Sequence, residues 1–323
     1  MIYNGSNKIG IAYTKHKYGA SINDVIGEKN SNNALKPAVS NNLELYFNGI
    51  VTVANGALYG KWYANTGVKK AEFPDTTTIN AYALYAAFYG CTGLTYADIS
   101  NVTSIADYGL AYAFTGCSNL TSEVANGLSK ITTLSNGYEL YNTFYGCKTI
   151  TSFDLSNLTS ISGNYCLSYA FVNTRVTTAN FPSLTSITGT YALHYAFRSC
   201  PLVSVSFPVL TTCDNLYAFY YTFRSVTTLE TISFPALTTA SGSYTFRGMC
   251  YQATGVKNIY FPALTSAGLG SQTNQFYQML YGVSRCTVHF PSNLQSVIGS
   301  WNDVTAGFGG TNTTVLFDLP ATS

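Results

Sequence analysis

Along most of the chain the apolar positions fall into a phrase that returns every 26 to 30 residues. One copy reads Tyr191-Ala-Leu193-His-Tyr-Ala-Phe197-Arg-Ser-Cys200-Pro-Leu202-Val-Ser-Val205-Ser-Phe207-Pro208-Val-Leu210. Anchored on its central aromatic, the phrase places Trp62, Phe88, Phe114, Phe144, Phe171, Phe197, Phe223, Cys250 and Leu280 at steps of 26, 26, 30, 27, 26, 26, 27 and 30 residues. Four residues before each anchor stands another large apolar residue, from Leu58 and Leu84 to Phe246 and Phe276, and two further back a tyrosine recurs from Tyr82 to Tyr244. Apolar pairs at i and i+4 share one face of a helix, so this part predicts a short helix. After the anchor, triplets such as Leu94-Ala97-Ile99, Leu202-Val205-Phe207 and Val256-Ile259-Phe261 end in the alternation of a strand. Phe-Pro follows at 73/74, 181/182, 207/208, 234/235, 261/262 and 290/291, and proline cannot continue a ladder, so each strand should stop there. A unit of strand, proline turn and short helix is too small to bury its own apolar face. Its stability must come from stacking about nine such coils.

These units resemble leucine-rich repeats, and among them the irregular bacterial class called BspA-like. The resemblance is carried by Ala87-Phe88-Tyr-Gly-Cys91-Thr-Gly-Leu94 and by Leu184-Thr-Ser-Ile187, and it covers about residues 56 to 298. It implies an α/β repeat fold, a solenoid with parallel strands on one face and short helices on the other. The units exceed the family's usual length by roughly one helical turn. The two 30-residue steps carry further insertions, around Glu123 to Ser129 and Gly268 to Gln275, and insertions at a fixed place in a solenoid emerge on one face.

Strands stacked at about 4.8 Å predict a continuous sheet roughly 40 Å long. Its exposed positions include Tyr96, Asp98, Asp154, Asn180, Ser206, Glu230, Ser233, Lys257 and Tyr260. This mixture of hydroxyl, amide and aromatic groups suits hydrogen bonding and stacking on carbohydrate, and equally suits a merely solvated sheet. Arg198 and Arg224 follow their anchors one coil apart. They form either a basic stripe for acidic glycans or a row of solvated charges on a neutral surface. The tyrosine column reads as packing with wet hydroxyls, or alternatively as an exposed ladder for sugars.

Composition narrows the partners. Charged residues make up only 9% and the net charge is +2, which supplies no electrostatic footprint for nucleic acid. The chain is 46% hydrophobic and 15% aromatic, too apolar for a disordered tail. No run of 18 apolar residues occurs, so membrane insertion is not expected.

Little in the sequence points to catalysis, to a cofactor or to a metal. Cys91, Cys117, Cys147 and Cys200 share one repeat position, three residues after the anchor, and should form a buried column rather than convergent zinc ligands. His16, His194 and His289 are scattered. Asp98 and Asp154 belong to separated coils of an open sheet, without the cleft a glycosidase pair requires. Phosphate loops and nucleophile elbows are absent, and the expectation is a protein without enzymatic activity.

Residues 1–45 stand outside the repeat and carry five of the eleven lysines, with an Asn/Lys-rich stretch from Gly27 to Asn42 suited to a linker. Ile2 to Tyr13 contains Asn4-Gly5 and predicts a hairpin. This opening is similar to short openings of bacteriophage tail and baseplate accessory proteins, and the first residues lack the apolar core of a secretory signal. Residues 46–298 form the solenoid, and 299–323, with Thr314 to Phe317 as a last strand, should cap its open end. The terminal Leu319-Pro320-Ala321-Thr322-Ser323 resembles a sortase signal but has Ser where Gly is required.

The expected role is a surface binding protein of a phage virion, its N-terminal module docked on other virion proteins and its solenoid facing a glycan or protein of the host cell. A bacterial cell-surface adhesin and a structural virion decoration without a ligand are the alternatives. A homo-oligomer is compatible with each.

Overall fold

The computed structural model describes residues 3–4, 7–8, 43–269, 274–298 and 308–322; the linker expected from Gly27 to Asn42 lies outside the described residues. Tyr3–Asn4 pairs antiparallel with Asn7–Lys8, a hairpin as expected, but with Asn4 paired to Asn7 in the ladder and not in the turn that Asn4-Gly5 suggested. From Leu43 onward the chain winds as a parallel solenoid of about ten turns with few helices.

Two parallel ladders run along it. The first comes from the segment after each anchor, and its strands stop where the sequence places Phe-Pro: Val68–Glu72, Thr178–Asn180, Ser204–Ser206, Thr231–Ser233 and Asn258–Tyr260. Thr287–Pro291 runs through its proline, and the register shifts there against the last strand, Thr314–Leu319. The second ladder, which the sequence pattern does not single out, comes from the Leu-Thr-x-Ile phrase and its variants and includes Thr78–Ile79, in Thr-Thr-Thr-Ile, and Ser160–Ile161 and Ser186–Ile187. A threonine column braces it. The hydroxyls of Thr185, Thr211, Thr238 and Thr265 each donate to the carbonyl of the equivalent threonine one coil back.

The continuous sheet expected from nine strands is broken into pieces of three, two and four. At the first 30-residue step a helical turn, Glu123–Asn126, followed by a 3-10 turn, Gly127–Lys130, occupies the strand's place. A helix spends its carbonyls within itself, so it offers no evenly spaced acceptors to the next coil. The following segment, Thr151 to Leu155, accordingly forms no strand. Phe153 instead packs its ring 4.6 Å from Phe171 and 5.7 Å from Phe197.

The segments expected as short helices are not helical. Each is a ribbon of overlapping β-turns. Tyr59, Lys61 and Tyr63 donate their N–H groups three residues back, while Leu58, Gly60 and Trp62 donate to Ala83, Tyr85 and Ala87 of the next coil at 2.8–2.9 Å. Every fourth residue is left-handed, as in Tyr82, Ala86 and Gly90 or Tyr191, Tyr195 and Ser199. A turn of type II requires φ above zero at its third residue, which accounts for that spacing. The ribbon repeats every four residues, so the Leu and Phe at i and i+4 still share its inner face. Unlike a helix, it also leaves half its N–H groups to bond neighbouring coils.

The anchors and their partners fill the core. Phe88, Phe114, Phe144, Phe171, Phe197 and Phe223 are fully buried and stack as a column at 5.4–6.2 Å. The cysteine column is present as expected: Cys91, Cys117, Cys147 and Cys200 each donate a thiol to the carbonyl of the preceding anchor at 2.9–3.0 Å. Burial pushes the Cys91 thiol up to about 12 and Cys200 to about 11, so these are unreactive thiols. No helix among the described residues is long and apolar enough to cross a membrane.

Candidate binding surfaces

The sequence candidates divide between the two sides of the solenoid. On the strand side they fall into separate patches, because the ladder is interrupted. Tyr96 and Asp98 sit in register with Lys70 and Glu72. Lys70 pairs with Glu72 at 2.7 Å and lies 5.1 and 5.3 Å from the ring centres of Tyr46 and Tyr96. The hydrogen bond to Glu72 raises the Lys70 pKa above the ordinary lysine value, and this patch is internally neutralised.

Asp98 and Asp154 both have a local task. Each accepts the N–H two residues on, from Ser100 at 2.8 Å and Ser156 at 2.9 Å, and so closes the turn after the strand position. Asn180 pairs in register with Ser206. Glu230 and Lys257 form an exposed ion pair at 2.5 Å beside an open groove of about 650 Å³. Ser233 lies beside Tyr260, whose ring stacks on His289 at 4.4 Å, and His289 in turn contacts Asp318 at 2.9 Å.

Arg198 and Arg224 project from the ribbon side. Four columns of side chains run along that side, six, three and two residues before the anchor and one after it. They hold seven, five, four and five tyrosines, 21 of the chain's 27. The first column is a stack: Tyr82, Tyr108, Tyr138, Tyr165, Tyr191, Tyr217 and Tyr244 follow one another at 4.4–5.1 Å with planes within 13°. Inside such a stack the ring faces are covered by neighbouring rings, so no sugar can lie flat on them. What the column offers a ligand is ring edges and phenol hydroxyls. Partial burial and the neighbouring phenols push Tyr108 up to about 12, and burial together with Tyr195 does the same for Tyr169, so these hydroxyls remain neutral donors.

Arginines interrupt the columns. Arg198 and Arg224 both lie over the Tyr195 ring, at 5.5 and 5.7 Å, and Arg224 also lies 5.4 Å from Tyr221 and 4.8 Å from Tyr251. Arg247 is ringed by Tyr217, Tyr220, Tyr244 and Tyr277 at 5.1–5.9 Å. Tyr220 and Tyr221, 4.2 Å apart, join the two groups. Arg247 is missing from the sequence candidates because it precedes its anchor by three residues instead of following it. In the pattern it belongs to a different column from Arg198 and Arg224.

His194 occupies the same column as Arg247, against Tyr195 and Tyr220 and 3.2 Å from the Ser168 hydroxyl. Burial lowers its pKa to about 4, so at neutral pH it is an uncharged ring. The unfolded chain, with an ordinary histidine near 6.5, takes up this proton first. Stability is therefore full above pH 6.5 and declines as the pH falls towards 4. His194→Gln should flatten that decline by up to about 3 kcal/mol, which denaturant titrations at pH 7 and pH 4.5 would measure.

The model of the BspA type leucine-rich repeat region matches the chain over residues 57–195, 141–268 and 193–297. Among solved structures, the chain is similar to a leucine-rich repeat protein from Bacteroides ovatus. The two are 15% identical, with 96% of this chain and 98% of that one covered and a TM-score of 0.26. None of the curated proteins matches it.

Proposed function

Since the chain belongs to the BspA-type leucine-rich repeat family, we propose that it is a non-enzymatic binding protein that meets its partner through the regular outer surface of the solenoid. The observation that carries this reading is the ribbon side. There a rigid backbone ladder presents 21 tyrosines in four columns, with arginines among them. A surface of this regularity fits a partner that is itself extended and repetitive, such as a cell-surface glycan. The cysteines are all buried, which suits a packing role for them.

The carrier we propose is a phage particle, with the N-terminal module docked on other virion proteins and the solenoid facing the bacterial host. The short antiparallel pair at Tyr3–Asn4 and Asn7–Lys8, unlike anything in the repeat, supports a separate docking module. A bacterial cell envelope is the second carrier, supported by the bacterial repeat class to which the units belong.

Antibody-gold microscopy and proteomics on purified phage particles and on host envelopes distinguish the two. Labelled virions are the expected result; label confined to cell envelopes would make the protein an adhesin. The binding role itself is tested by adding the fluorescent full chain to intact cells. Failure to label any cell surface would overturn it.

A further inference from the structure

All five arginines of the chain lie between residues 175 and 285, and three of them meet on the ribbon side. Among the described residues no arginine takes part in an ion pair. Between Asp154 and Asp303 the sequence has only two acids, Asp214 and Glu230. Asp214 accepts the Ser241 hydroxyl and Glu230 is bound to Lys257.

The guanidinium groups are held by phenols instead. Arg224 donates to the Tyr195 hydroxyl at 2.9 Å and Arg247 to that of Tyr217 at 3.4 Å, while the Nε atoms of both are buried among the rings with no hydrogen-bond partner. Each guanidinium has five N–H donors in a rigid plane, and one of them is used in this way. Partly desolvated, fixed in orientation and uncompensated, such a group binds an oxyanion more strongly than a mobile surface lysine does. The side chains of Arg198, Arg224 and Arg247 all remain partly exposed.

We propose, resting on the surface-binding reading above, that the Arg198, Arg224 and Arg247 cluster is the binding site for an acidic polysaccharide, one with carboxylate or sulfate groups along a hydroxyl-rich chain. Three cations on successive coils suit a polymer with about one anion per sugar, in contrast to the denser charge of duplex DNA, one per about 1.7 Å of axis. The tyrosine columns continue along the axis beyond the cluster and supply neutral hydroxyl donors and acceptors for the sugar hydroxyls. The backbone ladder places successive coils about 4.8 Å apart, comparable to the advance of a polysaccharide from one sugar to the next.

The test is binding of the full chain to polygalacturonate, dextran sulfate and unsubstituted dextran at low salt. At least one acidic polymer should bind about tenfold or more tightly than dextran, and the difference should shrink at high salt. The triple variant Arg198→Gln, Arg224→Gln, Arg247→Gln should fall to the dextran level. Arg224→Lys with Arg247→Lys keeps the charge and loses the planar fork; if it melts like the parent, it should bind with intermediate strength. Equal binding of all three polymers, or undiminished binding by a folded triple variant, would overturn the proposal.

Cell labelling separates this from the broader reading. Cells labelled equally by parent and triple variant would remove the arginine cluster and leave the surface role. Acidic-polymer binding without any cell labelling would do the reverse.

Discussion

Phe197→Ala should lower the free energy of unfolding by about 3–5 kcal/mol, among the largest losses available to a single truncation in this chain. The Phe197 ring is fully buried and stacked 5.4 Å from Phe171 and 6.2 Å from Phe223. It also touches Phe153 at 5.7 Å, the residue that fills the coil where no strand forms. Truncation therefore opens a cavity at the point where ring packing stands in for ladder hydrogen bonds. In a solenoid each coil is stabilised by its neighbours, so the loss weakens both adjoining interfaces. Denaturant unfolding of the purified full chain measures it. A loss below about 1 kcal/mol would contradict the assigned register.

The second large effect is expected at a corner without side chains. A Cβ on Gly163 would overlap the Asn136 carbonyl oxygen, reach 2.5 Å from its carbon and lie 2.7 Å from Cys166 Sγ. Asn136 has little room to yield, because its N–H and side-chain amide both bond Glu139 at 3.2 Å. At Gly189 the same overlap recurs with the Gly163 carbonyl. Successive coils thus touch backbone to backbone here, and Gly163→Ala should cost about 3 kcal/mol or more.

Gly116→Ala is the matched control. Its φ is +73° and the nearest atom to an added Cβ is 3.7 Å away, so only the left-handed conformation is penalised, by about 1 kcal/mol. Thermal melts of the two variants should show that order. The reverse order would mean that the coils stand further apart than the structure has them.

Much of this was legible in the sequence, for identifiable reasons. The anchors, the cysteine slot and the strand ends at Phe-Pro recur in register, and each copy reinforces the others. The ribbon was not distinguished from a helix because Leu193 and Phe197 four residues apart satisfy either geometry. A usable signal was present in the glycines and asparagines at Gly56, Gly60, Gly90, Gly116, Asn142 and Asn173, residues that accept a left-handed backbone. The first break in the sheet followed from the 30-residue step, but whether the extra residues would bulge outward or replace the strand depended on the turn at Glu123–Asn126; the second, between Ser204–Ser206 and Thr231–Ser233, falls at ordinary steps and has no counterpart in the spacing.

Among the binding candidates, Arg198 and Arg224 share a face because they share a repeat position. Arg247 joins them only through the rings of Tyr220 and Tyr221, a contact between columns that no single repeat position encodes. Asp98 and Asp154 show what a repeat position does not encode: each spends one carboxylate oxygen on the backbone N–H two residues on, closing a turn that only the folded chain displays.

The most direct test of the central claim, that the ribbon side is the binding side, is hydroxyl-radical footprinting. The full chain would be probed free and bound to purified surface polysaccharide from the cells it labels. The expected result is protection of Tyr169, Tyr195, Tyr221 and Tyr251, with Tyr96 and Tyr260 on the strand side unchanged. Protection of Tyr96 and Tyr260, with the ribbon tyrosines unaltered, would contradict it.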